Sequence, residues 1–329
     1  MELTNAYICG CARNNAAFLD DIFKNIGLLS TLFNHIFIII FYDESTDNTL
    51  EILEKYNGLF QMKIIVNQNI LGAYRTQRIA YARNSILEYI RFRNNPSFNI
   101  MIMLDCDDVC VKPINISIIQ NYLNRSDWDA LSFNRYPYYD IWALSIAPYI
   151  ASWAHWNNPY DILYKMYDYI HNKLSSLKED ELLECYSAFN GFALYRLEKF
   201  VNCQYEWQIN KSNQLILELF EKELNEENNK IVHTNFDDNN INFNMGNIKK
   251  IEDCEHRYFH MEAIKKNNAR IRISPLDIFK PIENNFKQIE HFKQIEHFNY
   301  IKSNYNKRKI FNIIILILII IIIIYYLYF

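Results

Sequence analysis

The first hundred residues alternate between short continuous apolar runs and longer stretches in which apolar residues recur every three or four positions. Continuous runs predict strands buried on both faces of a parallel sheet, and the wider spacing predicts amphipathic helices. The predicted strands are Ala6–Cys9, His35–Tyr42, Met62–Val66 and Asn99–Leu104, and the helices between them span Phe18–Phe33, Thr49–Tyr56 and Ile79–Ile90. This alternation predicts an α/β fold with a mostly parallel, Rossmann-like sheet flanked by helices, and ligands at the carboxyl ends of its strands.

The pattern is less regular in the second part of the chain. We expect a strand over Trp128–Asn134 and a helix over Ser212–Glu226. A further helix is expected over His256–Asn267, with Asp253 as its N-cap. The Asn-rich stretch Lys230–Lys250 predicts a loop between these two helices.

The composition limits which partners the chain has. The chain has 329 residues, of which 50% are hydrophobic, so it is long enough for a large α/β domain and an appendage. The formal charge of −4 is spread without a basic stripe, which argues against a nucleic-acid partner. The seven cysteines lack metal-site spacing and predict free thiols in a reducing compartment. No secretory signal is predicted before the first strand.

The C-terminal region differs from the rest of the chain. The hexapeptide Phe286–His291 is repeated directly as Phe292–His297, which predicts a linker or stalk. Ile313–Phe329 is a run of 17 apolar residues without a charge, preceded by basic residues and ending among tyrosines. This pattern predicts a membrane anchor that holds the main domain on the cytosolic side. The predicted domains are residues 1–278, a linker over 279–309 and a transmembrane helix over 310–329.

Two carboxylates directly follow the fourth predicted strand. In Asp105-Cys106-Asp107 an extended backbone points the two carboxylates in the same direction. Negative charge at the end of a buried strand needs a counter-ion. Converging carboxylates suit a hard divalent cation, and such a cation suits a diphosphate. The sequence therefore predicts a Mg²⁺ or Mn²⁺ site at Asp105 and Asp107, with Asp108 as a reserve ligand.

Six segments occur in an order typical of one group of enzymes. They are Cys11–Asn15, Tyr42–Thr49, Asn69–Tyr74 with Arg78 and Arg83 on the helix after it, Asp105–Asp108, Ala188–Arg196 and Asp253–His256. With these segments the chain resembles the nucleotide-sugar-dependent glycosyltransferases of the GT-A fold over Ala6–Pro275. It is most similar to family 2-like enzymes and to the capsule-associated mannosyltransferase-like group, including versions seen in large DNA viruses.

The resemblance implies a site for a UDP- or GDP-sugar donor. The residues that it implies for donor binding are Arg13, Asp43, Arg83, Asp105 and Gly191. Arg83 is preferred narrowly over Arg78, and Gly191 would let the backbone approach the donor sugar closely. The resemblance also implies that Asp107 ligates the metal, while Asp105 contacts ribose or a metal-bound water.

The segment Asp253–His256 stands where family 2-like enzymes have an acidic pair that supplies the base for inverting transfer. Here the pair is Glu255-His256, so either residue is predicted to deprotonate the acceptor hydroxyl, and His256 alternatively completes the metal shell. A retaining reaction requires no single base, and the sequence leaves both outcomes open. Tyr139 and Trp142, in the aromatic-rich stretch 136–156, are predicted to stack on an acceptor sugar.

The expected function is metal-dependent transfer of a sugar, expected to be a hexose, from a nucleotide-diphosphate donor to a hydroxyl of a glycan or glycoconjugate. The alternative is a catalytically inactive sugar-nucleotide-binding or scaffold protein, because Glu255-His256 departs from the acidic pair and Glu44 replaces a glycine of the family. A nucleotidyltransferase would need a glycine-rich phosphate loop with a lysine after the first strand, and Cys9–Asn15 has one glycine and no lysine.

Overall fold

The computed structural model describes residues 4–69, 71–150, 159–225, 244–245, 248–249 and 252–279. The strands in these ranges are β1 (Asn5–Ala12), β2 (Ile36–Tyr42), β3 (Met62–Val66), β4 (Phe98–Asp105), β5 (Ala130–Phe133), β6 (Leu183–Cys185), β7 (Phe192–Arg196), β8 (Asn244–Met245), β9 (Ile248–Lys249) and β10 (Ile271–Ser274). The helices are α1 (Ala16–Ser30), α2 (Thr49–Asn57), α3 (Arg75–Arg93), α4 (Ile116–Leu123), α5 (Pro159–Ser175), α6 (Leu197–Phe200), α7 (Ile209–Asn225) and α8 (Glu255–Asn267), with a 3₁₀ turn over Asp108–Cys110.

One large sheet organises these elements, with the strand order β3-β2-β1-β4-β7-β5-β10-β6. The four strands at its first end are parallel, whereas β7 runs antiparallel to both β4 and β5. Strand β10 is parallel to β5, and β6 is an antiparallel strand at the other edge. The expectation of an α/β fold with a mostly parallel sheet flanked by helices is confirmed.

Hydrophobic clusters cover both faces of the sheet. On β1, Tyr7 and Cys9 belong to the cluster that includes α3 and α8, whereas Ala6 and Ile8 belong to the cluster that includes α1 and α2. Because successive side chains of a strand point to opposite faces, a strand covered on both sides must be apolar throughout. This explains the continuous apolar runs, and it places polar side chains only where the strands end.

The second half of the chain departs from several expectations. The elements that were not predicted after Asp108 include α4, α5, α6, β6, β7 and β10, and the predicted strand Trp128–Asn134 is limited to β5. The prediction of Asp253 as the N-cap of α8 is wrong: Cys254 occupies that position, and the Asp253 carboxylate binds Arg257, one turn into the helix. A buried guanidinium competes with the helix N–H groups for the same carboxylate. All seven cysteines are free, as predicted.

The predicted membrane anchor and most of the predicted loop Lys230–Lys250 lie outside the described residues. The described residues belong to one compact unit that ends at Lys280, and residues 281–329, with the predicted anchor, lie outside the described residues. Within the described residues no helix is both long enough and apolar enough to cross a membrane. Of the predicted loop Lys230–Lys250, only β8 and β9 are described, and they pair with each other as antiparallel strands.

Candidate functional site

A cavity of about 340 Å³ opens at the carboxyl ends of the parallel strands. The register of the sheet places its walls, because Cys11 of β1 pairs with Asp105 of β4, and Ala12 pairs with Tyr42 at the end of β2. The residues that follow these strand ends therefore meet at one edge. The predicted site residues that line the cavity are Arg13, Asp43, Arg83, Asp105, Asp107, Tyr139, Trp142, Glu255 and His256.

Arg83 links the strand end to helix α8. Its guanidinium donates a hydrogen bond to Asp105 Oδ1 at 3.2 Å and another to Glu255 Oε1. The side chains of Arg83 and Glu255 are 6% and 5% exposed, so this ion pair is almost fully buried. The guanidinium also lies 4.8 Å from the ring centre of Phe189, a favourable cation–π distance. Arg78, the alternative candidate, lines the same cavity.

The two predicted metal ligands both line the cavity. Burial raises the pKa of Asp105 to about 7, although the nearby positive charge of Arg83 lowers it. Burial also raises the pKa of Asp107, whose Oδ1 accepts a hydrogen bond from Val109 N at 3.2 Å and so caps the 3₁₀ turn. The negative charge of Asp107 raises the pKa of Asp105 further, because a nearby like charge disfavours ionisation.

This donor set fits a divalent cation that also binds a substrate. Within the described residues, no group of three or more His, Cys, Asp or Glu side chains is arranged to hold a metal ion by itself. Mg²⁺ is commonly bound by one or two carboxylates together with substrate phosphates and water, rather than by a complete protein cage. Asp105 and Asp107 supply two carboxylates, and the adjoining cavity leaves room for phosphate oxygens.

The corner next to β2 is polar and rigidly connected. Asp43 Oδ1 accepts hydrogen bonds from Asn67 Nδ2 at 2.8 Å and from Glu44 N at 3.0 Å. Arg13 Nε lies 3.7 Å from Asp43 Oδ2, and half of the Arg13 side chain is exposed. Nearby, Asp47 accepts a hydrogen bond from Ala16 N, at the start of α1, and another from the N–H of Thr49, the first residue of α2. The candidate donor residues therefore stand on a turn that is fixed to both helices.

Gly191 lies behind Asp105 and is not among the residues that line the cavity. Its φ is +85°, and a Cβ added there would lie 2.5 Å from Val109 Cγ1 and 3.8 Å from Asp105 Oδ2. The carbonyl of Gly191 accepts the backbone N–H of Asp105 at 2.9 Å. Gly191 therefore packs tightly against the end of β4, where a larger residue would collide with Val109.

His256 is enclosed at the inner wall of the cavity. The residue is 1% exposed, and its ring stacks on Phe189 with ring centres 3.8 Å apart. Both ring nitrogens are buried without a hydrogen-bond partner among the described residues, and Nε2 lies 3.9 Å from Glu255 Oε1. Burial holds the pKa of His256 well below its usual value, and the charge of Arg83 adds to this effect, so the imidazole is neutral.

The aromatic side of the cavity is formed by the loop after β5. Tyr139 is 43% exposed at the rim, and Trp142 is half-buried beside it. The side chain of Asn190 holds this loop, because its Oδ1 accepts the backbone N–H groups of Tyr139 and Asp140, each at 2.9 Å. Residues 151–156 of the aromatic-rich stretch, with Trp153 and Trp156, lie outside the described residues.

Three charged residues line the cavity that were not selected from the sequence, or were selected only as an alternative: Arg75, Arg78 and Asp140. Arg75 and Arg78 lie one turn apart at the start of α3. Because this helix begins at the same sheet edge, their spacing could have predicted that both side chains face the cavity. Asp140 lies in an irregular loop and gave no periodic signal.

No protein-family model matches the chain, and no curated protein does so. Among solved structures, TarS from S. aureus is 13% identical over 63% of this chain and 50% of that one, with a TM-score of 0.36. The mannosyltransferase PcManGT from Pyrobaculum calidifontis, solved with GDP-Man and Mn²⁺, is 12% identical over 63% of this chain and 48% of that one, with a TM-score of 0.38.

Glucosyl-3-phosphoglycerate synthase from Mycobacterium tuberculosis, solved with UDP, is 13% identical over 60% of this chain and 58% of that one, with a TM-score of 0.35. The chain thus spans about half the length of these three structures. Likenesses with TM-scores this low establish neither a shared activity nor a shared substrate.

Proposed function

We propose that the chain is a glycosyltransferase that uses a nucleotide-diphosphate sugar and a divalent cation. One observation supports this most strongly. Arg13 after β1, Asp43 after β2, Arg83 on α3, and Asp105 and Asp107 at the end of β4 are distant in sequence but line one cavity. The motif resemblance assigns these same positions to the nucleotide, the donor and the metal.

Each part of the cavity has a chemical task in this proposal. Asp43 and Arg13 hold the nucleotide, and the guanidinium groups of Arg75 and Arg78 meet the phosphates as charge-assisted hydrogen-bond donors. A Mg²⁺ or Mn²⁺ ion bound by Asp107, with Asp105 directly or through water, supplies positive charge that stabilises the diphosphate as a leaving group.

The acceptor enters from the aromatic side of the cavity. Tyr139 and Trp142 offer flat apolar faces that suit the pyranose ring of an acceptor sugar. The group that is proposed to be transferred is a hexosyl group from a UDP- or GDP-sugar. The proposed acceptor is a hydroxyl of a glycan or glycoconjugate. The apolar segment 310–329 would hold the domain at the cytosolic face of a membrane, and deleting it would then move the chain from the membrane pellet to the supernatant.

The test is a donor panel with a matched variant. The full chain is incubated with UDP- and GDP-sugars, with and without Mn²⁺, and free nucleotide is measured. We expect release with at least one donor, dependent on the cation, and loss of that release in Asp107→Ala with unchanged circular dichroism. Equal activity in Asp107→Ala and the parent would contradict the metal assignment.

A second candidate function is a sugar-nucleotide-binding protein without turnover. The observation in its favour is that Glu255, one of the two residues predicted to act as the base, is held in a buried ion pair with Arg83. Calorimetry combined with the release assay distinguishes the two functions. A donor that binds but releases no nucleotide with any acceptor tested would favour the binding protein.

A further inference from the structure

We propose that Asp140 takes the proton from the acceptor hydroxyl, an inference that rests on the proposed glycosyl transfer and commits it to inversion. Asp140 lies on the loop after β5, and it lines the same cavity as Asp105, Glu255 and the acceptor-side aromatic Tyr139.

Glu255 is poorly suited to this task in the structure. Its Oε1 accepts a hydrogen bond from Arg83, and the residue is 4% exposed. Protonation of Glu255 would break its buried ion pair with Arg83. The Arg83 guanidinium would then keep only Asp105 as a carboxylate partner among the described residues. The other predicted base, His256, has both ring nitrogens shielded from solvent.

Asp140 differs from Glu255 in its partners. Its Oδ1 accepts the backbone N–H of Ala143 at 3.1 Å, and no ion pair of the described residues includes Asp140. The carboxylate therefore has hydrogen-bonding capacity left for a substrate hydroxyl. Because Asp140 is partly exposed to the cavity, a hydroxyl can reach it without displacing a cation of the protein.

The loop that carries Asp140 is held from two sides. Asn190, which is 2% exposed, accepts the backbone N–H of Asp140 and donates its own amide N–H to Phe133 O at 2.8 Å. Arg257 donates to the carbonyls of Trp142 and Leu144 further along the loop. Fixing the backbone on both sides of a reacting group is the arrangement that preorganises a site.

The surrounding charges suit a base near neutral pH. Burial raises the pKa of Asp140 to about 6, and the negative charge of Glu255 on α8 acts in the same direction. The hydrogen bond from Ala143 and the positive charges of Arg83 and Arg75 on α3 oppose the rise. A general base is most effective when its pKa lies near the working pH, because it is then both deprotonated and sufficiently basic.

The chemical step is balanced by groups already named. The acceptor oxygen forms a bond to the anomeric carbon while the bond from that carbon to the phosphate oxygen breaks. The electron pair of the broken bond leaves with the nucleoside diphosphate, and the hydroxyl proton moves to Asp140. The protonated carboxyl then releases its proton to water through the open side of the cavity.

The test compares Asp140→Asn with Asp168→Asn, which changes an exposed residue of α5 outside the cavity. In Asp140→Asn the new amide oxygen can still accept the Ala143 N–H, so we expect the fold and the donor Kd from calorimetry to be retained. The kcat for transfer is expected to fall at least about 100-fold, the usual contribution of a positioned base, while Asp168→Asn keeps the parent kcat.

The outcomes separate this inference from the proposed function. A parent protein that neither binds nor turns over any donor contradicts the proposed function itself. An active parent whose Asp140→Asn variant keeps its kcat, or loses donor binding, overturns the assignment of Asp140 only. If Asp140→Asn does not fold, Asp140→Ser is assayed with added formate, and recovery of transfer by this external base supports the assignment whereas no recovery overturns it.

Discussion

Arg257 joins helix α8 to the loop after β5, and its removal should be strongly destabilising. The side chains of Arg257 and Asp253 are both 0% exposed, and Arg257 Nε donates to the two Asp253 carboxylate oxygens at 3.1 and 2.9 Å. The remaining guanidinium N–H groups donate to the carbonyls of Trp142 and Leu144 and to Ser145 Oγ. The perturbation that we consider is Arg257→Leu.

The magnitude follows from what the substitution leaves behind. Asp253 would keep a fully buried negative charge without its guanidinium, and breaking one partner of such a pair usually costs about 3–5 kcal/mol. The carbonyls of Trp142 and Leu144 would lose hydrogen bonds as well. We therefore expect Arg257→Leu to lower the free energy of unfolding by about 3–5 kcal/mol. Adding Asp253→Asn should recover part of this loss, because it removes the buried charge.

Urea unfolding of the full chain, followed by tryptophan fluorescence, measures this loss as a shift of the midpoint at a constant slope. Lys24→Ala is the matched control, because Lys24 pairs with Asp21 at the surface, where the side chains are 73% and 50% exposed, and its loss should leave the midpoint unchanged. A midpoint of Arg257→Leu equal to that of the parent would refute the reasoning. A double variant less stable than Arg257→Leu would also contradict it.

Two further predictions concern the strand end at Asp105. Its pKa of about 7 means that a bound cation must displace a proton below that pH, so the apparent affinity for Mn²⁺ should fall about tenfold for each pH unit below about 7. Calorimetric titration with Mn²⁺ checks this, and an affinity that stays constant from about pH 7 to pH 5 would contradict it. Gly191→Ala should lower the free energy of unfolding by at least about 1 kcal/mol, because φ at this position is +85° and the new Cβ would collide with Val109. Urea unfolding measures this loss, and an unchanged midpoint would contradict it.

The sequence predicted the elements whose signal is local. Met62–Val66 was predicted with the bounds that β3 has, and β1, β2 and β4 differ from their predicted ends by only a few residues. A strand covered on both faces leaves a continuous apolar run, and this run ends where the strand reaches the ligand-binding edge. Asp105 and Asp107 were therefore found as the carboxylates that follow such a run, whereas Asp43, which also follows a strand, was selected because the family resemblance implied it.

The features that were missed depend on contacts between distant parts of the chain. Asp140 is held in place by Asn190, fifty residues later in the chain, and nothing in the loop around it has a helical or strand period. Asp253 looked like a helix cap because acidic residues favour that position, but its carboxylate accepts from Arg257 instead, and the carbonyls of Trp142 and Leu144 hold the other end of that guanidinium. Local propensity therefore failed where a guanidinium held in place by a distant loop took the carboxylate away from the helix N-terminus.

The charges around the cavity also bear on how the proposed donor would bind. Asp105, Asp107 and Asp140 all have pKa values raised by burial, and Arg83 is already shared between Asp105 and Glu255. A diphosphate that entered alone would add negative charge to a site whose carboxylates are incompletely compensated. For the proposed reaction we therefore expect donor binding to be weaker without a divalent cation than with it, although Arg75 and Arg78 also line the cavity.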